Sequence, residues 1–251
     1  MVWITGDCHG QYDKFSLANF PQQQDMTRED TVLVCGDFGV WHDCEEERAA
    51  WDALAEKPFT VAFADGNHEN FDRLYSDEFP VVDFHGGKAH KIRENLYHLL
   101  RGHVFDFDGK KFFVFGGAQS HDIQDGILDR ADYSSDQEFS LMYYCWRSVG
   151  KLFRVNHESW WKQELPSPEE MEFGRRTLRA HGNKTDYIVT HSAPARIAAK
   201  LGFDEDNALG AYFDELADTV DFQTWYFGHY HYDVTDGKKY VMLMEQIVRV
   251  C

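Results

Sequence analysis

The segment from Val2 to Gly10, Val-Trp-Ile-Thr-Gly-Asp-Cys-His-Gly, joins a short apolar stretch to a cluster of polar residues. Val2 to Thr5 has the length and composition of a short buried strand. The five residues that follow, Gly-Asp-Cys-His-Gly, place a carboxylate and an imidazole between two glycines. Because ligands gather at the carboxyl ends of strands in open α/β sheets, this segment predicts both a sheet and the place of a functional site.

Two further buried strands follow in the first third of the chain. Thr31 to Cys35 and Phe59 to Ala64 are apolar runs of strand length. Between them, Asp43 and Glu46 resemble a capping box at the start of a helix that runs towards Lys57, where a proline stops it. The alternation of strands and helices predicts an α/β fold with a mostly parallel sheet and crossover helices.

Two Asp-Gly pairs predict β-hairpins, because this dipeptide favours the two-residue turns that join antiparallel strands. The pairs and their flanking stretches are Asp108-Gly109 between His103 to Phe107 and Lys111 to Phe115, and Asp236-Gly237 between Tyr232 to Thr235 and Lys239 to Met244. Strand-like segments also occur at Asp186 to Thr190 and at Phe222 to Phe227. The second half of the chain therefore continues to alternate strands with other elements.

Residues 119–165 have no clear hydrophobic period and carry many aromatic side chains, so we expect an insertion of short helices and loops. A clearer helix follows, with Ser167 as its N-cap, Pro168 in the first position and Glu170 closing a capping box. No internal repeat, low-complexity tract or linker divides the sequence. We therefore expect a single domain over residues 1–251.

The chain is strongly acidic, with a formal net charge of −18 over 251 residues. Duplex nucleic acids and anionic membranes are held mainly by Lys and Arg, so this charge excludes an extended nucleic-acid surface and argues against a membrane partner. There is no N-terminal signal pattern, and the five cysteines form no CxxC pair. These features favour a cytoplasmic protein, and they leave the oligomeric state open.

Residue types that bind metals stand where the predicted strands end. The clusters are Gly6-Asp7-Cys8-His9-Gly10, Gly36-Asp37, Gly66-Asn67-His68-Glu69, His191-Ser192-Ala193-Pro194 and Gly228-His229-Tyr230-His231. Carboxylate, imidazole and amide groups suit borderline divalent metals such as Mn, Fe, Co, Ni or Zn. A carboxylate has two oxygens, so Asp37, which stands alone after its strand, is the candidate to bridge two ions.

In order and spelling, these five clusters resemble the calcineurin-like metallophosphoesterases, and the resemblance runs from Gly6 to His231. It implies a β-sandwich flanked by helices in four αββα layers, here with residues 119–165 inserted as a cap. It also implies two divalent metal ions. The resemblance assigns Asp7, His9, Asp37 and His231 to the first ion, and Asp37, Asn67, His191 and His229 to the second.

The resemblance further implies hydrolysis of a phosphomonoester, a phosphodiester or a nucleotide by direct attack of a metal-bridging hydroxide. His68 matches the histidine that donates a proton to the leaving oxygen, and we expect a nearby carboxylate, Asp65 or Glu69, to orient it and favour its charged form. The partner would be a small phosphorylated molecule. The alternative is a non-catalytic binding or scaffold protein, although all seven ligand positions and His68 are filled. A nuclease is opposed by the charge.

The chain departs from the Ser/Thr protein phosphatases and dinucleoside tetraphosphatases of that superfamily. Those groups continue the second cluster as Gly-Asp-x-x-Asp-Arg-Gly, whereas Gly36-Asp37 continues here as Phe-Gly-Val-Trp, and Asp65 stands where they place an arginine. The loss of two phosphate-binding arginines argues against both substrate classes. Gly116 to Asp122 and Ser159 to Glu164 are instead similar to a bacterial and phage branch. We expect the insertion to supply substrate contacts, with the candidates His121, Arg130, Arg147 and Arg154.

Overall fold

The computed structural model describes residues 1–236 and 239–251. The strands are β1 (Val2–Thr5), β2 (Thr31–Val34), β3 (Thr60–Phe63), β4 (Val81–Phe84), β5 (Gly87–Arg93), β6 (Leu96–Leu99), β7 (His103–Phe107), β8 (Lys110–Phe115), β9 (Gly126–Leu128), β10 (Phe153–Val155), β11 (Tyr187–Thr190), β12 (Thr224–Phe227), β13 (Val234–Asp236), β14 (Tyr240–Met242) and β15 (Val248–Arg249). The helices are α1 (Glu45–Ala55), α2 (Phe71–Leu74), α3 (Asp136–Ser148), α4 (Pro168–Ala180), α5 (Ala195–Leu201) and α6 (Ala208–Thr219). Short 3-10 helices lie at Asp13–Phe15, Pro21–Asp25, Arg130–Asp132 and Lys162–Glu164.

Two sheets form the centre of the molecule. The first has the strand order β15-β1-β2-β3-β6-β5-β4, and the second has the order β13-β14-β12-β11-β8-β7. Strands β1, β2, β3 and β6 run parallel in the first sheet, as do β8, β11, β12 and β14 in the second. Apolar side chains from both sheets, among them Ile4 and Leu33 from the first and Phe112 and Val189 from the second, share one buried cluster. The two sheets therefore pack face to face as a sandwich.

Helices cover the outer face of each sheet. Because successive side chains of a strand point to opposite faces, Trp3 leaves the cluster between the sheets and packs with Trp51 of α1. On the other side, Phe213 of α6 and Leu178 of α4 pack with Ile188 of β11. Burial of each such side chain stabilises the fold by about 1.5–3 kcal/mol. These layers confirm the predicted fold class, a mixed α/β sandwich flanked by helices.

The elements with a clear local signal lie close to their predicted positions. The hairpin of β7 and β8 turns at Asp108 and Gly109, whose φ angles of 54° and 73° suit the turn that an Asp-Gly pair favours. Helix α4 has the predicted capping box, in which Ser167 and Glu170 exchange hydrogen bonds. Strands β13 and β14 pair antiparallel, but Gly237 of their predicted turn lies outside the described residues.

Helix α1 begins later than expected. Its N-cap is Cys44 and not Asp43, and no side chain caps it there. The carboxylate of Glu47, one residue beyond the predicted Glu46, accepts the backbone N–H groups of residues 41–43. The helix start is therefore stabilised from inside its first turn, by a side chain that reaches back to the preceding loop.

Residues 119–165 hold more regular structure than expected. They contain α3 and a small parallel sheet of β9 and β10. Leu128, Phe139 and Val155 form a separate apolar cluster there, with Trp146 and Phe153 packed against it. The insertion thus has its own small core. In the described part of the chain, no helix is long and apolar enough to cross a membrane.

Candidate metal centre

The five predicted clusters follow β1, β2, β3, β11 and β12, and the sandwich brings them together. Strands β1, β2 and β3 are parallel neighbours, and so are β11 and β12 in the other sheet. The loops after them are also hydrogen-bonded to each other. The N–H of His9 donates to the carbonyl of Asp37 at 2.7 Å, and the N–H of Gly228 donates to the carbonyl of His191 at 2.9 Å.

Asp7, His9 and His231 form the first group of potential ligands, with one ligand atom from each within 4.8 Å of the others. The Nε2 atoms of His9 and His231 lie 3.1 Å apart. Nε2 of His231 is 3.4 Å from Oδ2 of Asp7. Both members of the i and i+2 pair after β1 thus meet one member, His231, of the pair after β12.

Asp7, Asp37 and His191 form a second group, and His9, Asp37 and His68 form a third. Nε2 of His191 is 3.2 Å from Oδ1 of Asp37 and 3.3 Å from Oδ1 of Asn67. Asp37 belongs to both groups, and it is almost fully buried. This shared position is the one that a bridging ligand requires.

The opposite buried charges of this centre favour each other's ionised forms. Burial alone would lower the pKa of His191, but the carboxylates of Asp37 and Asp7 raise it to about 10. Burial opposes ionisation of Asp37, yet the contact with His191 holds the pKa of that carboxyl well below its usual value. Two buried carboxylates therefore draw positive charge to the centre, and a divalent ion would have to displace a proton to bind there.

The backbone at the centre is strained. Four of the seven predicted metal ligands have left-handed φ angles, namely His9 (49°), Asp37 (46°), His229 (71°) and His231 (57°). Residues with a Cβ rarely adopt this conformation, which costs about 1–3 kcal/mol each and is typical of functional sites. The left-handed conformation of the tight turns after β1, β2 and β12 directs these side chains towards the centre.

Two glycines let the carboxylates approach the backbone. A Cβ atom on Gly66 would lie 2.0 Å from Oδ1 of Asp37, and one on Gly228 would lie 2.1 Å from Oδ1 of Asp7. In the space that this leaves, Asp37 accepts the N–H of His68 at 2.8 Å. Asp7 likewise accepts the N–H of His229 at 3.0 Å. Asp37 is therefore fixed by the loop after the neighbouring strand β3, and Asp7 by the loop after β12 of the other sheet.

His229 lies beside the Asp7–Asp37–His191 group, with its ring centroid 4.9 Å from that of His191. Its Nε2 is 3.4 Å from Oε1 of Glu205, and its ring stacks on that of His121 with centroids 4.7 Å apart. Together these three side chains form a fourth group of potential ligands. Glu205 is 2% exposed, and the hydroxyl of Tyr230 donates to it at 3.0 Å. Sequence reasoning missed Glu205, because no motif surrounds it.

The amide of Asn67 is held by two residues from the ends of the insertion. Its Nδ2 donates to Oγ of Ser120 at 3.2 Å. Ser120 in turn donates to Glu164 twice, from its backbone N at 3.0 Å and from its Oγ at 2.6 Å. All three residues are at most 3% exposed. With Nδ2 engaged in this way, Oδ1 of Asn67 faces His191 and is available as a ligand.

His68 faces Arg154 of the insertion, whose Nη2 is 3.2 Å from its Nε2. Arg154 is itself held by Asp122, which accepts from Nε at 2.6 Å, and by the carbonyl of Ser159 at 3.0 Å. Burial lowers the pKa of His68 to about 4, and Arg154 adds to this effect while Asp37 opposes it. The nearby carboxylate that favours the charged form of His68 is that of Asp37, and burial outweighs its effect.

Neither expected orienting partner contacts His68. The carboxylate of Asp65 binds His98 at 3.2 Å and the guanidinium of Arg101 at 2.9 Å. The carboxylate of Glu69 accepts three backbone N–H groups of residues 38–40, the shortest at 2.7 Å. Both carboxylates hold parts of the scaffold. Glu69 fixes the loop that carries Asp37.

Among the expected substrate contacts, the structure brings His121 and Arg154 to the centre but not Arg130 or Arg147. Arg130 pairs with Asp136 and Glu158 and lies 4.3 Å over the ring of Phe139. Arg147 lies on exposed α3, where its Nη1 is 3.2 Å from the Tyr143 hydroxyl. Carboxylates and a ring of the insertion thus engage the side chain of Arg130, and Arg147 contacts Tyr143 of its own helix.

The comparison with protein families agrees with this geometry. Residues 1–233 match the family model described as calcineurin-like phosphoesterase, a span that includes every predicted metal ligand. Among solved structures, the chain is similar to phosphopantetheinyl hydrolase (PptH) from Mycobacterium tuberculosis, with 17% identity and a TM-score of 0.41 over 97% of this chain and 89% of that one. The comparison with curated proteins found no match.

Proposed function

Because the chain belongs to the calcineurin-like phosphoesterase family, we propose that it is a metal-dependent hydrolase of a phosphomonoester, a phosphodiester or a nucleotide. The proposal rests on one observation: Asp7 and Asp37 each belong to more than one group of potential ligands. In each group, the carboxylate and imidazole atoms lie within 4.8 Å of one another. Shared carboxylates are suited to a pair of cations. The donor set, which contains no thiolate, fits Mn, Fe, Co, Ni or Zn.

We assign Asp7, His9, Asp37 and His231 to one ion, and Asp37, Asn67, His191 and His229 to the other. Glu205 lies at Nε2 of His229, so we assign the other ring nitrogen, Nδ1, to the ion. When bound, two such ions neutralise charge on phosphoryl oxygens and lower the pKa of a water. The protein must hold the ligands in place. The strained turns and the hydrogen bonds that hold Asn67 support this role.

We assign proton donation to Nε2 of His68 and phosphate binding to Arg154. The guanidinium of Arg154, already held by Asp122 and Ser159, presents donors that match phosphoryl oxygens. Arg154 lies within reach of the centre. It could replace the phosphate-binding arginine that the second cluster of this chain lacks. A phosphate bound by Arg154 would offset its charge beside His68, and so favour the protonated imidazole that a general acid requires.

The experiment is metal analysis of the purified protein, followed by hydrolysis of 4-nitrophenyl phosphate and bis(4-nitrophenyl) phosphate with several divalent ions. The variant His68→Ala should still bind metal and lose about 10²–10⁴-fold in kcat. His181→Ala, which removes an exposed histidine from the end of α4, is the matched control. Absence of both metal and turnover would refute the proposal. Bound metal without turnover of either ester would favour the binding or scaffold alternative.

A further inference from the structure

A cavity of about 410 Å³ opens directly beside the candidate metal centre. His9 and His68 form its wall on the side of the centre, and Tyr12 and Trp41 contribute aromatic surface. On the proposed function, on which this inference rests, His68 gives its proton to the leaving oxygen. The cavity therefore lies where the leaving alcohol must be accommodated.

The charged side chains that face this cavity are acidic. Glu46 and Glu47 of α1 line it, and the described lining residues include no Lys or Arg. Glu47 is neutralised from behind by Arg73 and by the backbone N–H groups of residues 41–43. Glu46 is exposed. The nearest arginine on the same helix, Arg48, pairs with Asp43, so it supplies no net positive charge.

An acidic lining discriminates against an anionic leaving group. A second phosphate placed beside Glu46 would be repelled, and no lining arginine or lysine would offset that repulsion. The positive end of the α1 helix dipole is likewise offset, because Glu45, Glu46 and Glu47 occupy its first turn. The leaving alcohol that fits this cavity is therefore uncharged or cationic.

Trp41 is fixed in place as one wall of the cavity. Its backbone N–H donates to Glu47, and its carbonyl accepts from Nδ2 of Asn70 at 3.2 Å. The indole meets the edge of Trp161 at 5.4 Å between centroids and lies 6.0 Å from the ring of His68. A ring that is already ordered loses little conformational entropy when a ligand stacks on it. Trp41 is thus a prepared surface for a planar group.

We propose that this cavity binds the leaving alcohol of the substrate, and that this alcohol carries an aromatic ring and no second phosphate. A volume of about 410 Å³ lies in the lower part of the usual range for small-molecule pockets, about 300–1,000 Å³, and suits one ring system. The substrate class is a phosphoester of a ring-bearing, uncharged or cationic alcohol. A nucleoside monophosphate belongs to this class, and an ester whose leaving group is itself phosphorylated does not.

The first test measures binding of non-hydrolysable phosphonates to the metal-loaded protein by calorimetry. Benzylphosphonate should bind about 2- to 10-fold more tightly than propylphosphonate, the gain expected from one aromatic contact. Trp41→Ala should abolish this preference, and Trp41→Phe should retain most of it. Equal binding of the two phosphonates by the unchanged protein, or a preference that survives in Trp41→Ala, would overturn the proposal.

The second test uses charge and does not depend on the folding of a Trp41 variant. A benzylphosphonate with a second phosphonate on its ring should bind more weakly than benzylphosphonate itself. Glu46→Lys should reverse this order, whereas Glu45→Lys, the same charge change at a residue outside the cavity lining, should not. Equal effects of the two variants would overturn the proposal.

Failure of the cavity assignment and failure of the proposed function give different results. A protein that hydrolyses the nitrophenyl esters and shows no preference for a ring refutes the cavity assignment alone. A protein that binds metal, but neither hydrolyses the esters nor binds any of the phosphonates, refutes the proposed function and the cavity assignment with it.

Discussion

Ser120→Ala should weaken the binding of one metal ion and leave the other nearly unchanged. The variant removes the hydroxyl to which Nδ2 of Asn67 donates at 3.2 Å, and so frees the amide to turn its Oδ1 away from His191. A buried donor left without its partner costs about 1–3 kcal/mol, which corresponds to about 5- to 150-fold in affinity. Loss of a group that orients a metal ligand typically weakens binding by about 10- to 100-fold, so the two routes to the magnitude agree.

The assay is a calorimetric titration of chelator-stripped protein with Mn²⁺ or Zn²⁺. We expect one of the two sites to weaken by about 10- to 100-fold, and we expect Glu164→Gln to act in the same direction because Glu164 holds Ser120. Ser192→Ala is the matched control, since Ser192 is equally buried but its hydroxyl bonds the carbonyl of Gly117 at 3.4 Å. Two affinities in Ser120→Ala that match those of the unchanged protein would refute the reasoning.

Three further outcomes can be measured. Arg101→Met should lower the free energy of unfolding in urea by about 3–5 kcal/mol, because it leaves the fully buried carboxylate of Asp65 without the guanidinium that pairs with it. Adding Asp65→Asn should restore most of that loss, and an unchanged midpoint in Arg101→Met would contradict the importance of this pair. Arg154→Ala should raise KM for a phosphoester, whereas Arg130→Ala and Arg147→Ala should not; three equal effects would mean that Arg154 has no special place at the centre. Chelation of the metal should abolish calorimetric binding of inorganic phosphate, because a chain of net charge −18 then repels the anion; undiminished binding would indicate a basic surface site.

The fold and the position of the centre could be predicted because both are encoded locally. Each buried strand is followed by its own polar cluster, as β1 is by Asp7 and β2 by Asp37, and parallel strands place their carboxyl ends together. Strands β4 to β6 could not be predicted in this way, because no polar cluster of this kind follows them. The side chains of β4 alternate between exposed and half-buried positions, without a continuous apolar run.

The partners of the site residues could not be predicted, because they come from distant parts of the chain. Arg154 is 86 residues from His68, and Ser120 is 53 residues from Asn67. Pairing over such separations depends on how the insertion folds onto the sandwich. At the start of α1, three consecutive glutamates give the same capping signal in three registers, so the sequence pattern could not select Glu47.

The contact between Ser120 and Glu164 has a consequence for how such a chain can change. These residues are 44 positions apart, yet they close the base of the insertion through two hydrogen bonds, and the segment between them has its own apolar cluster. Because the entropy of closing a loop rises only slowly with its length, the intervening segment can be shortened, lengthened or exchanged at little cost to the sandwich. The residues that hold Asn67 lie at the two ends of the insertion, whereas Arg154 lies between them. Substrate preference can therefore change among related chains that keep the same metal centre.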